Sequence, residues 1–127
     1  MRNRVFRAMM VFGLVLAPVA SQAQGRLVTE YTARLSSADH ETSQGVRHDT
    51  VAGVLRQDRA NVHRFDAADP EDEVDEVFSD PHERGRFERL VSRGLIRPDV
   101  RRAIVNGTPL VRVTVYPTRV DVVVLEP

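Results

Sequence analysis

The sequence LVRVTVYPTRVDVVVL, residues 110–125, is the strongest indication of the fold, because valines recur at every second position on both sides of Pro117-Thr118. A period of two indicates strands that each bury one face. A two-residue loop would pair Tyr116 with Arg119, although proline is not typical of tight hairpin loops and a longer loop stays open. A slip of one residue would move half of the valines to the opposite face. With the two-residue loop, the predicted hairpin buries Val111, Val113, Val115, Val120, Val122 and Val124.

The same alternation occurs once more, near the start of the domain. Residues 27–35 place apolar and small side chains on one side of an extended chain and polar ones on the other, which predicts a first strand. Its predicted inner face consists of Leu27, Thr29, Tyr31, Ala33 and Leu35.

Helical spacing replaces alternation between these strands. Asp49 or Thr50 can cap a first helix, whose apolar stripe follows the spacing i, i+3, i+4 and i+7. This predicted stripe consists of Val51, Val54, Leu55, Val62 and Phe65.

Two more helices are predicted before the hairpin. The second begins with Asp80 as its cap and ends at Gly94, and the third extends from Pro98 to Gly107. The resulting order, β-α-α-α-β-β, predicts an α+β fold. We expect a small single domain in which a three-stranded antiparallel sheet carries two to three helices on one face.

The first 23 residues predict export. Three arginines precede an apolar run from Ala8 to Ala17, and the small residues Ser21 and Ala23 occupy the −3 and −1 positions of a signal-peptidase site. We therefore assign residues 1–23 to a secretory signal peptide, cleaved between Ala23 and Gln24, and residues 24–127 to one domain. The apolar run is about half as long as the roughly 20 residues that span a bilayer, so no stable membrane anchor is expected after cleavage. The predicted location is periplasmic or secreted.

Composition excludes several classes of function. The chain has no cysteine, which excludes disulfides, thiol catalysis and a lipidated N-terminus. All 18 acidic residues follow Ala23 whereas three of the 18 arginines precede it, so the mature chain has a net charge of −3. Nucleic-acid binding is not expected of an acidic domain, because it depends on neutralising phosphates. Neither a nucleophile motif nor a cofactor motif is present, and no cofactor is expected.

Asp58 is the most unusual residue, because it falls in the middle of the apolar stripe of the first helix. A carboxylate in an apolar site must be paired or hydrogen-bonded. Arg112 on the hairpin and the turn of residues 106–108 are the predicted donors. Asp58 is then either a structural tie between helix and sheet or an acid–base group at the floor of a pocket.

Three neighbours of Asp58 form a predicted binding flank. Arg56, Arg59 and His63 follow the spacing i, i+3 and i+7, and such a flank can hold a small anionic ligand or an acidic partner protein. Internal pairing with the acidic segment just downstream is the alternative. The candidate binding residues are therefore Arg56, Asp58, Arg59, His63 and Arg112.

The acidic segment, residues 66–80, holds eight carboxylates and is expected to be an irregular loop that Val74, Val77 and Phe78 pin to the core. It lacks the glycine of a calcium-binding EF-hand loop. The arginine-rich segment, residues 84–102, is predicted to neutralise it. No histidine pair has the spacing of a zinc motif, and the loop residues His40 and His48 are expected to be solvated, so no metal site is assigned.

These observations favour an exported, small, soluble binding or structural module without catalytic activity. One alternative is a small hydrolytic enzyme that uses Asp58 with a nearby histidine. Another is a metal-binding envelope protein that uses the acidic loop. The outer face of the hairpin, where Val123 and Leu125 lie, is a candidate surface for a weak homodimer.

Overall fold

The computed structural model describes residues 25–127. The predicted signal peptide and its cleavage after Ala23 lie outside the described residues. Three strands form one antiparallel sheet in the order β1-β2-β3, with β1 at Thr29–Arg34, β2 at Leu110–Val115 and β3 at Val120–Glu126. The predicted three-stranded antiparallel sheet is confirmed.

The register of the hairpin is the one that its valines predict. Opposite pairs are Val111 with Val124, Val113 with Val122, and Val115 with Val120. The Tyr116 N–H donates to the carbonyl oxygen of Arg119 at 2.9 Å, so the loop has two residues despite its proline. Four of the six valines are buried, and Val122 and Val124 are half-buried against the core.

Three helices lie between β1 and β2 in sequence: α1 at Val51–His63, α2 at Pro81–Arg93 and α3 at Pro98–Asn106. The Thr50 side chain caps α1 by accepting the Gly53 N–H at 3.0 Å, and Asp80 caps α2 by accepting the His82 N–H at 2.8 Å. The predicted β-α-α-α-β-β order and the α+β class are confirmed. Two short 3-10 helices, Ser37–His40 and Val77–Ser79, were not predicted.

The core lies between the inner face of the sheet and the helices. Its centre is an aromatic row in which the Tyr31 ring meets Phe78 edge-on at 6.1 Å and Phe78 packs on Phe87 at 4.6 Å. Aliphatic residues of the strands and helices complete the core. Those fully excluded from solvent include Leu35, Val54, Leu55, Ile104, Val111 and Val113.

Three apolar residues were wrongly predicted to be buried. Leu27 precedes β1 and is 52% exposed, although it was predicted on the inner face of the first strand. Helix α1 ends at His63, and the chain then turns through Asp66, which has a φ of 47°. This turn directs Phe65 outward, where 42% of its surface is exposed. Val74 is 74% exposed, so Phe78, and not Val74, anchors the acidic segment.

The acidic segment lies along the open edge of β1. The Thr32 N–H donates to Glu73 Oε2 at 2.9 Å, and the Arg34 N–H donates to Asp72 Oδ1 at 2.9 Å. Arg34 also forms an ion pair with Glu71 at 2.9 Å. The prediction that residues 84–102 neutralise this segment is wrong, because the N–H groups of an edge strand need acceptors and these carboxylates supply them.

The buried hairpin face leads to a first prediction. Val113→Asp should abolish folding, because Val113 is fully buried and the new carboxylate would have no partner in the core. Val123→Asp on the adjacent strand is the matched control, since Val123 is 56% exposed on the outer face. Circular dichroism and thermal melting would compare the two variants. A cooperatively folded Val113→Asp protein would contradict the register.

Candidate functional site

Helix α1 carries a buried ion pair between neighbouring residues, Asp58 and Arg59. Arg59 Nε donates to Asp58 Oδ2 at 2.7 Å, and both side chains are completely excluded from solvent. The guanidinium folds back along the helix to reach the preceding residue. The charge within the apolar stripe is therefore compensated locally.

The rest of the Arg59 guanidinium joins three parts of the fold. Its Nη1 donates to Asp75 Oδ1 and to the backbone oxygen of Glu73, each at 2.9 Å. Its central carbon lies 3.8 Å from the centroid of the Tyr31 ring on β1, which is a cation–π contact. Arg59 thus binds α1, the acidic segment and the sheet to one another.

His63 reaches the same cluster from the last turn of α1. Its Nε2 lies 2.9 Å from Asp75 Oδ1, and Asp75 Oδ2 accepts the Phe78 N–H at 2.7 Å. Burial alone would raise the pKa of Asp75, but the hydrogen bonds from His63, Phe78 and Arg59 together lower it below its ordinary value. Asp75 is therefore the ionised partner of Arg59.

Asp58 has the opposite electrostatic character. Burial raises its pKa to about 7, and the adjacent Arg59 only partly opposes this shift. Among residues 25–127, no hydrogen-bonding partner meets Asp58 Oδ1, Arg59 Nη2 or the Tyr31 hydroxyl. A carboxylate with one oxygen unpaired in a dry site favours its protonated form.

The structure brings together Asp58, Arg59 and His63 but neither of the other two candidate residues. Arg56 is exposed and pairs with Glu88 on α2 at 2.9 Å. Arg112 is exposed on the outer face of β2. The prediction that Arg112 or the turn of residues 106–108 satisfies Asp58 is wrong, because the flanking valines of β2 take the inward positions. Internal pairing with the acidic segment is confirmed for Arg59 and His63, which both contact Asp75. A binding role for the five candidates stays a prediction.

A second buried network on this helix was not predicted from the sequence. Asn61 Nδ2 donates to Asp39 Oδ1 at 2.8 Å, and Gln57 Nε2 donates to Asn61 Oδ1 at 2.9 Å. Burial raises the pKa of Asp39 to about 6. His40, expected to be solvated, is buried with its ring nitrogens 2.8 Å from the Ser36 oxygen and 2.7 Å from the Ile104 oxygen. Its neighbours in the loop gave no apolar pattern that would indicate this burial.

The carboxylates of the acidic segment are largely engaged by protein donors. Glu71, Asp72, Glu73 and Asp75 all accept hydrogen bonds from side chains or backbone amides. Within residues 25–127, no group of three or more histidine and carboxylate side chains is placed to hold a metal ion.

One surface cleft lies away from this cluster, between the second half of α2 and the β2–β3 turn. It has a volume of about 480 Å³, and we call it the arginine cleft. Asp58 does not line this cleft. The arginine cleft is lined by Arg86, Arg89, Leu90, Arg93, Gly94, Pro117, Thr118 and Arg119.

Sequence reasoning missed the arginine cleft although one signal for it was present. Arg86, Arg89 and Arg93 follow the spacing i, i+3 and i+7, which places them on one face of α2. These arginines were predicted to neutralise the acidic segment, so their common helix face was not recognised as a binding surface. The contribution of Arg119 depends on the hairpin turn, which only the three-dimensional structure places beside α2.

No family model, curated protein or solved structure matches this chain. In the part of the chain that the structure describes, no helix combines the length and apolar character needed to cross a bilayer.

The burial of Asp58 leads to a second prediction, on pH. A carboxyl group whose pKa is raised to about 7 on folding, from 3.8, binds a proton more tightly in the folded state. Its contribution to the free energy of unfolding must therefore fall as pH rises from about 4 to about 7. Asp58→Asn removes this contribution, so the stability of the variant relative to the wild type should improve between pH 5 and pH 8.

Chemical denaturation at several pH values would measure this difference. Asp39 and Asp75 titrate in both proteins, so the comparison isolates Asp58. Asp58→Ala is the matched variant, and it should cost about 3 kcal/mol because Arg59 Nε loses its acceptor. A difference between wild type and Asp58→Asn that does not change with pH would show that Asp58 stays ionised throughout.

Proposed function

We propose that this chain is an exported, small binding or structural module that acts without catalysis. The observation that carries the proposal is the complete exclusion of Asp58 and Arg59 from solvent. A catalytic carboxylate must meet a substrate, whereas a group sealed in the core stabilises the fold. The buried charges of α1 are therefore accounted for by a structural role.

The hydrolytic alternative requires Asp58 to border a cavity beside a histidine. His63, the nearest candidate on the helix, contacts Asp75 instead, and its side chain is only 8% exposed. The alternative of a metal-binding acidic loop gains no support from carboxylates that already accept protein donors. Binding through an exposed surface is the function that the geometry favours.

Export is supported by the sequence of residues 1–23, which lie outside the described residues. The basic head, the short apolar run and the Ser21-Gln22-Ala23 site agree with one another. For an exported module, the surfaces available to a partner include the arginine cleft and the outer face of the hairpin. On that outer face, Val123 and Leu125 are 56% and 39% exposed, which suits the weak homodimer proposed from the sequence.

A third prediction tests export. When the full chain is expressed in a bacterium with a periplasm, the protein recovered from the periplasm or the medium should begin at Gln24. Intact mass and N-terminal sequencing measure this directly. Ala23→Phe places a bulky residue at the −1 position and should block cleavage while leaving the mature domain unchanged. Recovery of a membrane-bound product that retains Met1 would overturn the proposal of a cleaved signal.

A fourth prediction tests the absence of catalysis at Asp58. Mature wild-type protein and Asp58→Asn should give the same background rates with chromogenic esters, phosphoesters, glycosides and peptides. Asp58→Asn is informative because it keeps the shape of the side chain while removing its acid–base chemistry. A rate above background that is lost in folded Asp58→Asn protein would establish the hydrolytic alternative.

A further inference from the structure

The arginine cleft concentrates positive charge without an acidic residue in its lining. Four arginines surround a volume of about 480 Å³, together with the Thr118 hydroxyl and the apolar surfaces of Leu90 and Pro117. We propose that this cleft binds a ligand bearing phosphate groups. The proposal rests on the function proposed above, since it identifies the chemical class of ligand that the module takes.

Two of the four guanidinium groups have no internal counter-charge. Within the described residues, no carboxylate oxygen lies within 4 Å of Arg89 or Arg93. The position of Arg93 in the last turn of α2 is favourable to the helix dipole. That effect does not account for Arg89, one turn earlier. These charges are available to an external anion.

The other two arginines are held in position by weak contacts that leave them charged and accessible. Arg86 donates to the Pro117 carbonyl oxygen at 3.2 Å and lies 3.9 Å from Glu83. The Arg119 guanidinium stacks 3.8 Å from the Tyr116 ring centroid, and its Nε lies 3.5 Å from Asp121. Stacking on an aromatic ring fixes the plane of a guanidinium while leaving its N–H edge free to donate.

The number of these donors favours phosphate over a carboxylate. Guanidinium groups bind both carboxylates and phosphates through paired N–H donors, but four such groups match a ligand with several negative charges. A carboxylate group carries a single negative charge, whereas one phosphomonoester or one pyrophosphate carries more than one. A volume of about 480 Å³ is within the range of small-molecule sites.

Phosphate can reach the cleft as a soluble compound or as a lipid headgroup. Leu95 follows Gly94, which lines the cleft, and its side chain is fully exposed between Arg93 and Arg97. An exposed leucine beside basic residues is suited to insertion at an anionic membrane surface. Both sources share the same recognition chemistry, and the experiment separates them.

Isothermal titration of the mature protein with pyrophosphate, at constant ionic strength, provides the primary test. The double variant Arg89→Gln/Arg93→Gln should weaken binding by about 100-fold, since each charge-assisted interaction is worth about tenfold or more. Arg101→Gln/Arg102→Gln is the matched control, because it removes the same charge from two exposed arginines of α3 that do not line the cleft. Cooperative thermal melting would show that both variants fold.

Cosedimentation with vesicles is the second arm. Binding to phosphatidylglycerol but not to phosphatidylcholine vesicles, reduced by Leu95→Ser as well as by the Arg89/Arg93 variant, identifies a lipid headgroup as the ligand. Pyrophosphate binding that Leu95→Ser leaves unchanged, without vesicle binding, identifies a soluble phosphate compound. Either result supports the proposal.

Three results would overturn it: no binding of either probe, equal losses in the two double variants, or tighter binding of a polyglutamate peptide than of pyrophosphate. Equal losses would indicate non-specific attraction, and preference for the peptide would indicate an acidic protein partner. None of these would affect the proposed export or the absence of catalysis, which are tested by the Gln24 terminus and by Asp58→Asn.

Discussion

The burial of the Arg59 guanidinium constrains α1, the acidic segment and the sheet together. An unpaired charge in a protein core is too costly to persist, so the chain must bring carboxylates to it. Asp58 comes from the same helix, but Asp75 lies 16 residues further along the sequence and must be carried back across the domain. The acidic segment therefore lies against β1, where neighbouring carboxylates also accept hydrogen bonds from the N–H groups at the edge of the strand. One buried charge thus fixes the position of a segment with little apolar content.

The same cluster contains one more carboxylate than Arg59 can neutralise. Asp75 has three donors and a lowered pKa, whereas Asp58 has one donor, an unpaired oxygen and a pKa raised to about 7. The excess negative charge is therefore removed most readily by a proton on Asp58. A raised carboxyl pKa is often associated with catalysis, but burial produces it as well. Here the group has no access to a cavity, so the shift is a consequence of the fold.

The sequence predicted those parts of the fold that local patterns specify. The valine alternation determined the hairpin register, and Thr50, Asp80 and Gly94 marked helix ends through their own side chains or lack of one. The incorrect predictions concern contacts between segments that are far apart in the sequence. The sequence predicted a donor to Asp58 on the sheet, because adjacent helix residues do not normally face each other. The carboxylates of residues 66–80 were matched to arginines by charge alone, since the backbone donors of an edge strand have no signature in the sequence.

The packing of the domain gives a structural role to only some of the arginines in the arginine-rich segment. Of the seven arginines in residues 84–102, Arg84 is buried and donates to the Phe78 oxygen at 2.7 Å, so it supports the core. Phe87 and Val91 hold the inner face of α2 against the aromatic row, and this anchoring does not depend on the outward-facing side chains. Arg86, Arg89 and Arg93 therefore add mutual repulsion on that outer face without a compensating internal contact of comparable strength. A bound anion would remove this repulsion, whereas nothing in the packing of the domain does.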